Sequence, residues 1–292
     1  MKMKMKMTNI PNVTLSNGVR MPASVFGVYQ IQDAIECQKA VESAIAVGYR
    51  AIDTAASYGN ELAVGNAIKA SGIDRSELFI TTKLWVEDAS EEGARRAIDR
   101  SLDLLGLDYL DLYLIHQPVG DVYGAWRTME NLYQSKVLRA IGVSNFAPDR
   151  FVDFVHHNAI HPHVNQIEIN PFYQQKEALS ILNKYGAMPE AWAPFAEGRN
   201  NLFDNPTLKN IAMHHERTVG QIVLRYVYQL GAIVIAKTVR PERMTENLNI
   251  YDFELTEEDM KQIAALDTNS SQFFSHRDPS IIEWMCSRHL EH

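Results

Sequence analysis

The chain has 292 residues, enough for two average domains, but an eight-unit barrel of about 250 residues accounts for such a length as one domain. With 46% hydrophobic and 22% charged residues, extended disorder is excluded, and 28 basic against 36 acidic residues disfavour nonspecific nucleic-acid binding. Two cysteines, Cys37 and Cys286, lack metal-type spacing and are too few for a disulfide scaffold, so a reducing cytoplasm is expected. No apolar stretch approaches the roughly 20 residues of a membrane span.

The opening Met1 to Met7 alternates lysine with methionine and lacks the continuous apolar core of a signal peptide, so residues 1–7 read as a leader, expected to be disordered. Residues 13–16 and 19–21 flank Asn17-Gly18, a pair that tolerates positive backbone angles. They predict a hairpin with a tight two-residue turn that plugs the bottom of a barrel. Strand-like runs follow over residues 25–29, 51–54, 78–83, 110–116, 140–143, 164–169, 190–193 and 232–236. Between them, residues 33–47, 90–105 and 123–134 carry apolar positions three and four apart, the helical spacing. Such alternation implies a parallel sheet with right-handed crossovers, and eight strands allow it to close. Residues 210–215 and 218–230 both read as helical before the last strand, which adds an extra helix. Residues 256–266 form another, opened by Thr256 with acids in the first turn. The expected fold is an α/β (β/α)8 TIM barrel over residues 8–280, with an N-terminal hairpin and extra C-terminal helices. Residues 290–292 read as a tag remnant.

Asp53, Tyr58, Lys83 and His116 stand at or just beyond the ends of three of these runs. In a barrel the carboxyl ends of the strands share one face, so groups distant in sequence converge there. A phenol with a reference pKa of about 10 is a poor acid, and the Lys83 ammonium is expected to lower that value. Asp53 would keep Lys83 charged, and a neutral His116 could hydrogen-bond a carbonyl oxygen. Tyr58 is then the expected general acid, protonating a carbonyl oxygen as hydride reaches its carbon. No side chain donates hydride, so a nicotinamide cofactor is required.

These residues sit in segments that occur together in order: Asp53-Thr54-Ala55-Ala56-Ser57-Tyr58-Gly59, Thr81-Thr82-Lys83-Leu84-Trp85, Leu114-Ile115-His116, Gly142-Val143-Ser144-Asn145-Phe146, Asn165-Gln166-Ile167-Glu168, Ala191-Trp192-Ala193-Pro194-Phe195 and Lys237-Thr238-Val239-Arg240-Pro241. In them the chain resembles the aldo-keto reductase superfamily, from about Val13 to Arg277. The nearest likeness is to bacterial-type members such as 2,5-diketo-D-gluconic acid reductases and prostaglandin-F-synthase-like reductases. There is no Gly-x-Gly-x-x-Gly turn, so phosphate is expected at the loops after strands seven and eight.

By that resemblance Ser144, Asn145 and Gln166 hold the nicotinamide carboxamide and Trp192 stacks on the ring. Pro194, Phe195, Glu197 and Gly198 cover the pyrophosphate. Lys237, Thr238 and Arg243 clamp the adenosine 2′-phosphate, Val239 lies among the same cofactor positions, and Glu246 and Asn247 contact the adenine. Two cations beside a hydroxyl favour NADPH, because the extra phosphate needs charge-assisted partners.

Tyr29, Trp85 and Phe26 are the expected aromatic walls of the substrate pocket, with His116 touching the substrate. Residues 117–122 are a short loop and residues 275–279 resemble a return to the barrel wall. An open site that sorts small carbonyls by reactivity is therefore expected. The resemblance implies NADPH-dependent reduction of aldehydes and reactive ketones by a cytoplasmic monomer, with a small carbonyl compound as partner and no nucleic acid or membrane. Two rival readings are a nucleotide-sensing barrel with little turnover and a metal-dependent hydrolase. The pairs His156-His157, His161-Pro162-His163 and His214-His215 lack an accompanying carboxylate cluster, so no metal is expected.

Overall fold

The structure is a computed structural model, and it describes residues 10–290. Strands β1 (Asn12–Thr14) and β2 (Arg20–Pro22) form an antiparallel ribbon. Its turn differs from the expected one. Leu15 N–H donates to Val19 O at 2.9 Å, Gly18 N–H donates to Leu15 O at 2.8 Å, and Gly18 alone in the turn has positive φ, at 84°. That is a three-residue loop with a bulge at Gly18. Asn17 stays right-handed, and the one left-handed position falls to the residue without a Cβ. Leu15 and Met21 of the ribbon are buried against Val25, Phe79, Leu112 and Ile233, so it closes the amino-terminal end of the barrel as expected.

Eight parallel strands make the closed barrel: β3 (Ser24–Gly27), β4 (Ala51–Asp53), β5 (Phe79–Leu84), β6 (Leu112–Ile115), β7 (Ile141–Ser144), β8 (Val164–Glu168), β9 (Met188–Trp192) and β10 (Ile233–Ala236), with β10 pairing back onto β3. Around them run α1 (Ala34–Val47), α2 (Glu61–Ser71), α3 (Glu91–Leu105), α4 (Val122–Gln134), α5 (Pro148–His156) and α6 (Lys176–Tyr185). The paired α7 (Pro206–His214) and α8 (Val219–Gln229) precede β10. After it come α9 (Pro241–Leu248), α10 (Glu257–Ala264) and α11 (Pro279–Ser287). Local chemistry sets the ends. Asp33 caps α1 by accepting from Glu36 N–H at 2.8 Å, and Thr256 forms a reciprocal capping box with Asp259 at α10.

Strand periodicity decides which side chains enter the barrel. On β5, Phe79 packs in the inner cluster while Ile80 and Leu84 pack in the outer one under the helices, so Lys83 is the last inward position. The same parity turns Ala51 and Asp53 inward on β4 and leaves Ile52 outward. The barrel interior is thus apolar at its base and polar at its carboxyl mouth. Parity also corrects one expectation: Phe26 faces outward between Val25 and Gly27, fully buried against Tyr49 at 5.5 Å between rings, and forms no wall of the substrate pocket.

At the opposite end of the strands, buried Asp111 accepts Arg75 Nη2 at 2.6 Å, Arg139 Nη1 at 2.5 Å and Ile80 N–H at 2.9 Å, and so locks β5 to β6. Among the described residues no helix is long and apolar enough to cross a membrane. The expected domain end at 280 falls inside α11, which packs on the 3-10 turn Val86–Asp88. Of the tag reading, Leu290 donates its N–H to Glu87 Oε1 at 2.9 Å; residues 291 and 292, like the leader of residues 1–7, lie outside the described residues.

Candidate active site

The four candidate residues meet at the carboxyl mouth. Lys83 Nζ, fully buried, lies 2.6 Å from Asp53 Oδ1, donates to Thr54 O at 2.9 Å and reaches Tyr58 OH at 3.3 Å. Tyr58 sits on a 3-10 turn, Ala56–Tyr58, directly after β4. Asn60 pins that turn: its amide donates to Val28 O and Ile31 O, and its oxygen accepts Thr54 Oγ1 at 2.7 Å. The ring of Tyr58 then stands between Tyr29 at 5.0 Å and His116 at 5.7 Å.

Burial works against a charge on Lys83, but the Asp53 carboxylate and its hydrogen bond outweigh it and hold the lysine above its usual range. His116 is pushed well below the usual imidazole range, first by burial and then by the charges of Lys83 and Arg288. It is therefore neutral at physiological pH. Its Nδ1 lies 3.3 Å from Ser57 Oγ, and a Ser57 hydroxyl donating there leaves the ring proton on Nε2.

Tyr58 departs from expectation. Its phenol is pushed up to about 12, because burial exceeds the lowering that Lys83 provides and Asp53 adds to the rise. Although Tyr58 as a residue is half-buried, its phenolate loses more from dehydration than one ammonium at 3.3 Å returns. The phenol is therefore protonated at neutral pH, with the Lys83 ammonium 3.3 Å from its oxygen.

The expected carboxamide and stacking residues lie together on the adjacent wall. Ser144 Oγ donates to Gln166 O at 2.8 Å, and Asn145, left-handed at φ 64°, donates to His116 O at 3.1 Å and accepts Trp192 Nε1 at 2.9 Å. Gln166 gives its amide to two carboxyls, Asp53 Oδ2 and Glu190 Oε2, each at 2.9 Å. Glu190 carried no expected role. It is fully buried on β9 with Oε1 unpartnered among the described residues, and burial, aided by the Asp53 charge, pushes it up to about 8. Only the inward parity of β9 could have flagged it.

The remaining cofactor candidates form a second rim. Pro194, Phe195, Glu197 and Gly198 follow β9 in a stretch where Ala193, Ala196, Glu197, Asn200 and Asn201 all take positive φ, and Glu197 Oε1 accepts Gln30 Nε2 at 3.1 Å across the mouth. Lys237, Val239 and Arg243 are exposed, with Thr238 between, at the start of α9, whose N-cap Arg240 offers no side-chain cap. Glu246 accepts Thr218 Oγ1 at 2.6 Å, and Asn247 is buried on the same helix. The tempting histidines lie elsewhere: His163 packs on Ile141 and His215 binds Asp259 at 2.9 Å.

Asp53, Tyr58, His116, Ser144, Asn145, Gln166, Trp192, Pro194, Phe195, Glu197 and Lys237 border one cavity of about 550 Å³ at the mouth, to which Tyr29 and Trp85 add aromatic walls, whereas Lys83, Gly198, Thr238, Val239, Arg243, Glu246 and Asn247 are not among its lining residues. Its far wall was not expected. Phe273, Phe274, His276, Trp284, Met285 and Arg288 come from the C-terminal tail, so the tail lines the mouth instead of returning to the barrel wall, and the expectation of an open site lacked this wall. Glu168, at the end of β8, accepts Ser271 Oγ at 2.6 Å and Gln272 N–H at 2.9 Å and starts this wall. Trp85 Nε1 donates to Arg288 O at 2.9 Å and ends it.

A closed parallel barrel with an ion-paired lysine, a phenol and a neutral imidazole around one cavity belongs to the class of (β/α)8 enzymes. Comparison with known proteins then narrows the class: the Aldo/keto reductase family model matches residues 23–268. A glyoxal reductase of Bacillus subtilis is 46% identical over 255 residues, covering 87% of this chain and 92% of that protein. A crystal structure of an aldo/keto reductase from Brucella melitensis superposes with a TM-score of 0.85 at 42% identity, covering 89% of this chain and all of the other. A Bombyx mori aldo-keto reductase in complex with NADP gives 0.87 at 34% identity over 94% and 97% of the two chains. The chain belongs to the aldo/keto reductase family, a family of oxidoreductases that act on carbonyl groups and alcohols.

Proposed function

We propose that this protein reduces aldehydes and reactive ketones to alcohols with NADPH, Tyr58 donating the proton to the carbonyl oxygen. The observation that carries the reading is the buried chain from Asp53 Oδ1 through Lys83 Nζ to Tyr58 OH, with links of 2.6 and 3.3 Å, beside a neutral His116. A carbonyl oxygen seated at the phenol and the imidazole gains negative charge as it is reduced. Tyr58 releases its proton to that oxygen, and the ammonium of Lys83 stabilises the phenolate. Asp53 keeps Lys83 charged and aimed. NADPH, when bound, supplies the hydride.

The residues present fit that cofactor. Lys237 and Arg243 have no carboxylate partner among the described residues, and the uncapped start of α9 leaves N–H groups free, a combination suited to phosphate. Lys237, Thr238, Val239 and Arg243 would hold the 2′-phosphate, and Glu246 with Asn247 the adenine. Pro194, Phe195, Glu197 and Gly198 would cover the pyrophosphate, while Ser144, Asn145, Gln166 and Trp192 would hold the nicotinamide. Backbone strain concentrated after β9 is consistent with a loop shaped for a ligand. Tyr29 and Trp85 supply aromatic walls, and a relative named glyoxal reductase favours small reactive carbonyls as substrates.

Replacing Tyr58 with phenylalanine keeps the ring and removes the donor. Turnover of an activated aldehyde such as phenylglyoxal should fall by about a hundredfold or more while NADPH affinity, read by fluorescence quenching, stays near the parental value. A variant that keeps more than about a tenth of the turnover would refute Tyr58 as the acid.

A further inference from the structure

Building on the carbonyl-reductase reading, we propose that Arg288 forms an anion subsite in the substrate half of the cavity, which selects carbonyl compounds carrying a carboxylate. The residue follows α11 and lines the same cavity as Tyr58 and His116. Its guanidinium carbon lies 5.2 Å from the Trp85 ring centre and 5.8 Å from the Trp284 ring centre, so both indoles are within cation–π reach of the fork. Of its five N–H donors, one makes a hydrogen bond among the described residues, from Nη2 to Ser57 O at 2.9 Å. No carboxylate among the described residues pairs with it. The nearby Glu87 accepts the Leu290 N–H and lies 3.1 Å from His289 Nδ1 instead.

Placement relative to the reacting groups gives the subsite its use. Ser57 joins the two: its hydroxyl lies 3.3 Å from His116 Nδ1, and its carbonyl takes the Arg288 guanidinium. Trp85 is likewise shared, with its ring 5.5 Å from that of His116. A substrate with its carbonyl oxygen at Tyr58 and His116 and its chain along Trp85 therefore ends beside a planar cation with unused donors, the geometry that binds a carboxylate through two parallel hydrogen bonds. Lys237, the other cation on the cavity, belongs to the rim after β10. His276 lines the wall near Arg288, but burial pushes it down to about 4, which leaves it uncharged and assigns the anion to Arg288. The substrate class that fits is an oxo acid whose carbonyl and carboxylate are separated by one aromatic ring or a few carbons.

The test compares 4-carboxybenzaldehyde with methyl 4-formylbenzoate, which share a ring and an aldehyde and differ in charge. The parental enzyme should prefer the acid in kcat/KM by about tenfold or more, the worth of a charge-assisted pair. Arg288→Gln should erase that ratio, and Arg288→Lys should keep part of it. Equal rates for acid and ester in the parent, or an Arg288→Gln variant that loses both substrates alike, would overturn the subsite and leave Arg288 as a tether of the tail. Should the glutamine variant not fold, the parental ratio together with the lysine variant still decides. Failure of NADPH to reduce either aldehyde would instead refute the underlying reductase reading, and the subsite with it.

Discussion

Glu190→Gln should change how stability depends on pH, by an amount the structure sets. The carboxyl is fully buried, accepts one hydrogen bond from Gln166 and faces the Asp53–Lys83 pair. Burial lifts it from 4.5 to about 8, so the folded chain holds this proton more tightly than the unfolded chain does. The stability it contributes is fully present below 4.5, declines as pH rises through the window, and is gone above about 8. Each pH unit inside that window is worth about 1.4 kcal/mol, so the effect accumulates to at most about 5 kcal/mol. Glutamine keeps the shape and can still accept from Gln166 through its amide oxygen, but it does not titrate. Urea denaturation of parent and variant from about pH 5 to about pH 9 gives the difference directly, since groups common to both cancel. The variant should gain on the parent steadily across the window and hold a constant advantage beyond it. Parallel profiles would show that Glu190 is ionised in the folded protein, and the account of a neutral carboxyl beneath Asp53 would fall.

At the proposed phosphate rim, Lys237→Ala and Arg243→Ala should each weaken NADPH by about ten- to a hundredfold and spare NADH, because on that proposal each removes a charged partner of the 2′-phosphate worth roughly 1.5 to 3 kcal/mol. Equal weakening of both cofactors, read by titration, would move these residues to a group the two nucleotides share. At the base of the barrel, Asp111→Ala should cost about 3 kcal/mol in urea denaturation, because it strips the partner from two arginines and from the buried N–H of Ile80. A loss below about 1 kcal/mol would mean that water or rearrangement replaces those bonds.

The barrel was legible because its signal is local. Most strands are short, largely apolar runs buried on both faces, and each observed barrel strand lies within two residues of its expected limits at either end. Convergence of Asp53, Lys83 and His116 followed from the same reading, since parallel strands end at one face. The Asn17-Gly18 turn was misread because that dipeptide suits two loop lengths, and the choice rests on the pairing of Leu15 with Val19, which belongs to the partner strand and not to the pair itself.

What stayed hidden is what depends on water and on distant chain. The sequence names Lys83 as a neighbour for Tyr58, but the sign of the phenol's shift is set by how far the folded mouth of the barrel dehydrates it, and that is a property of the assembled fold. Glu190 reads as an ordinary polar position until Gln166 bridges it to Asp53. The tail is the largest case. Its path depends on Glu168 taking Ser271 and Gln272, on Arg199 stacking over Phe273 at 4.4 Å and on Trp85 holding Arg288, contacts between segments far apart in the chain and without periodicity. The proposed chemistry therefore sits on strand ends that local sequence specifies, whereas the wall opposite is laid down by long-range contacts from the last residues of the described chain. Substitutions in the tail can accordingly retune which carbonyl compound enters without moving Asp53, Tyr58 or Lys83.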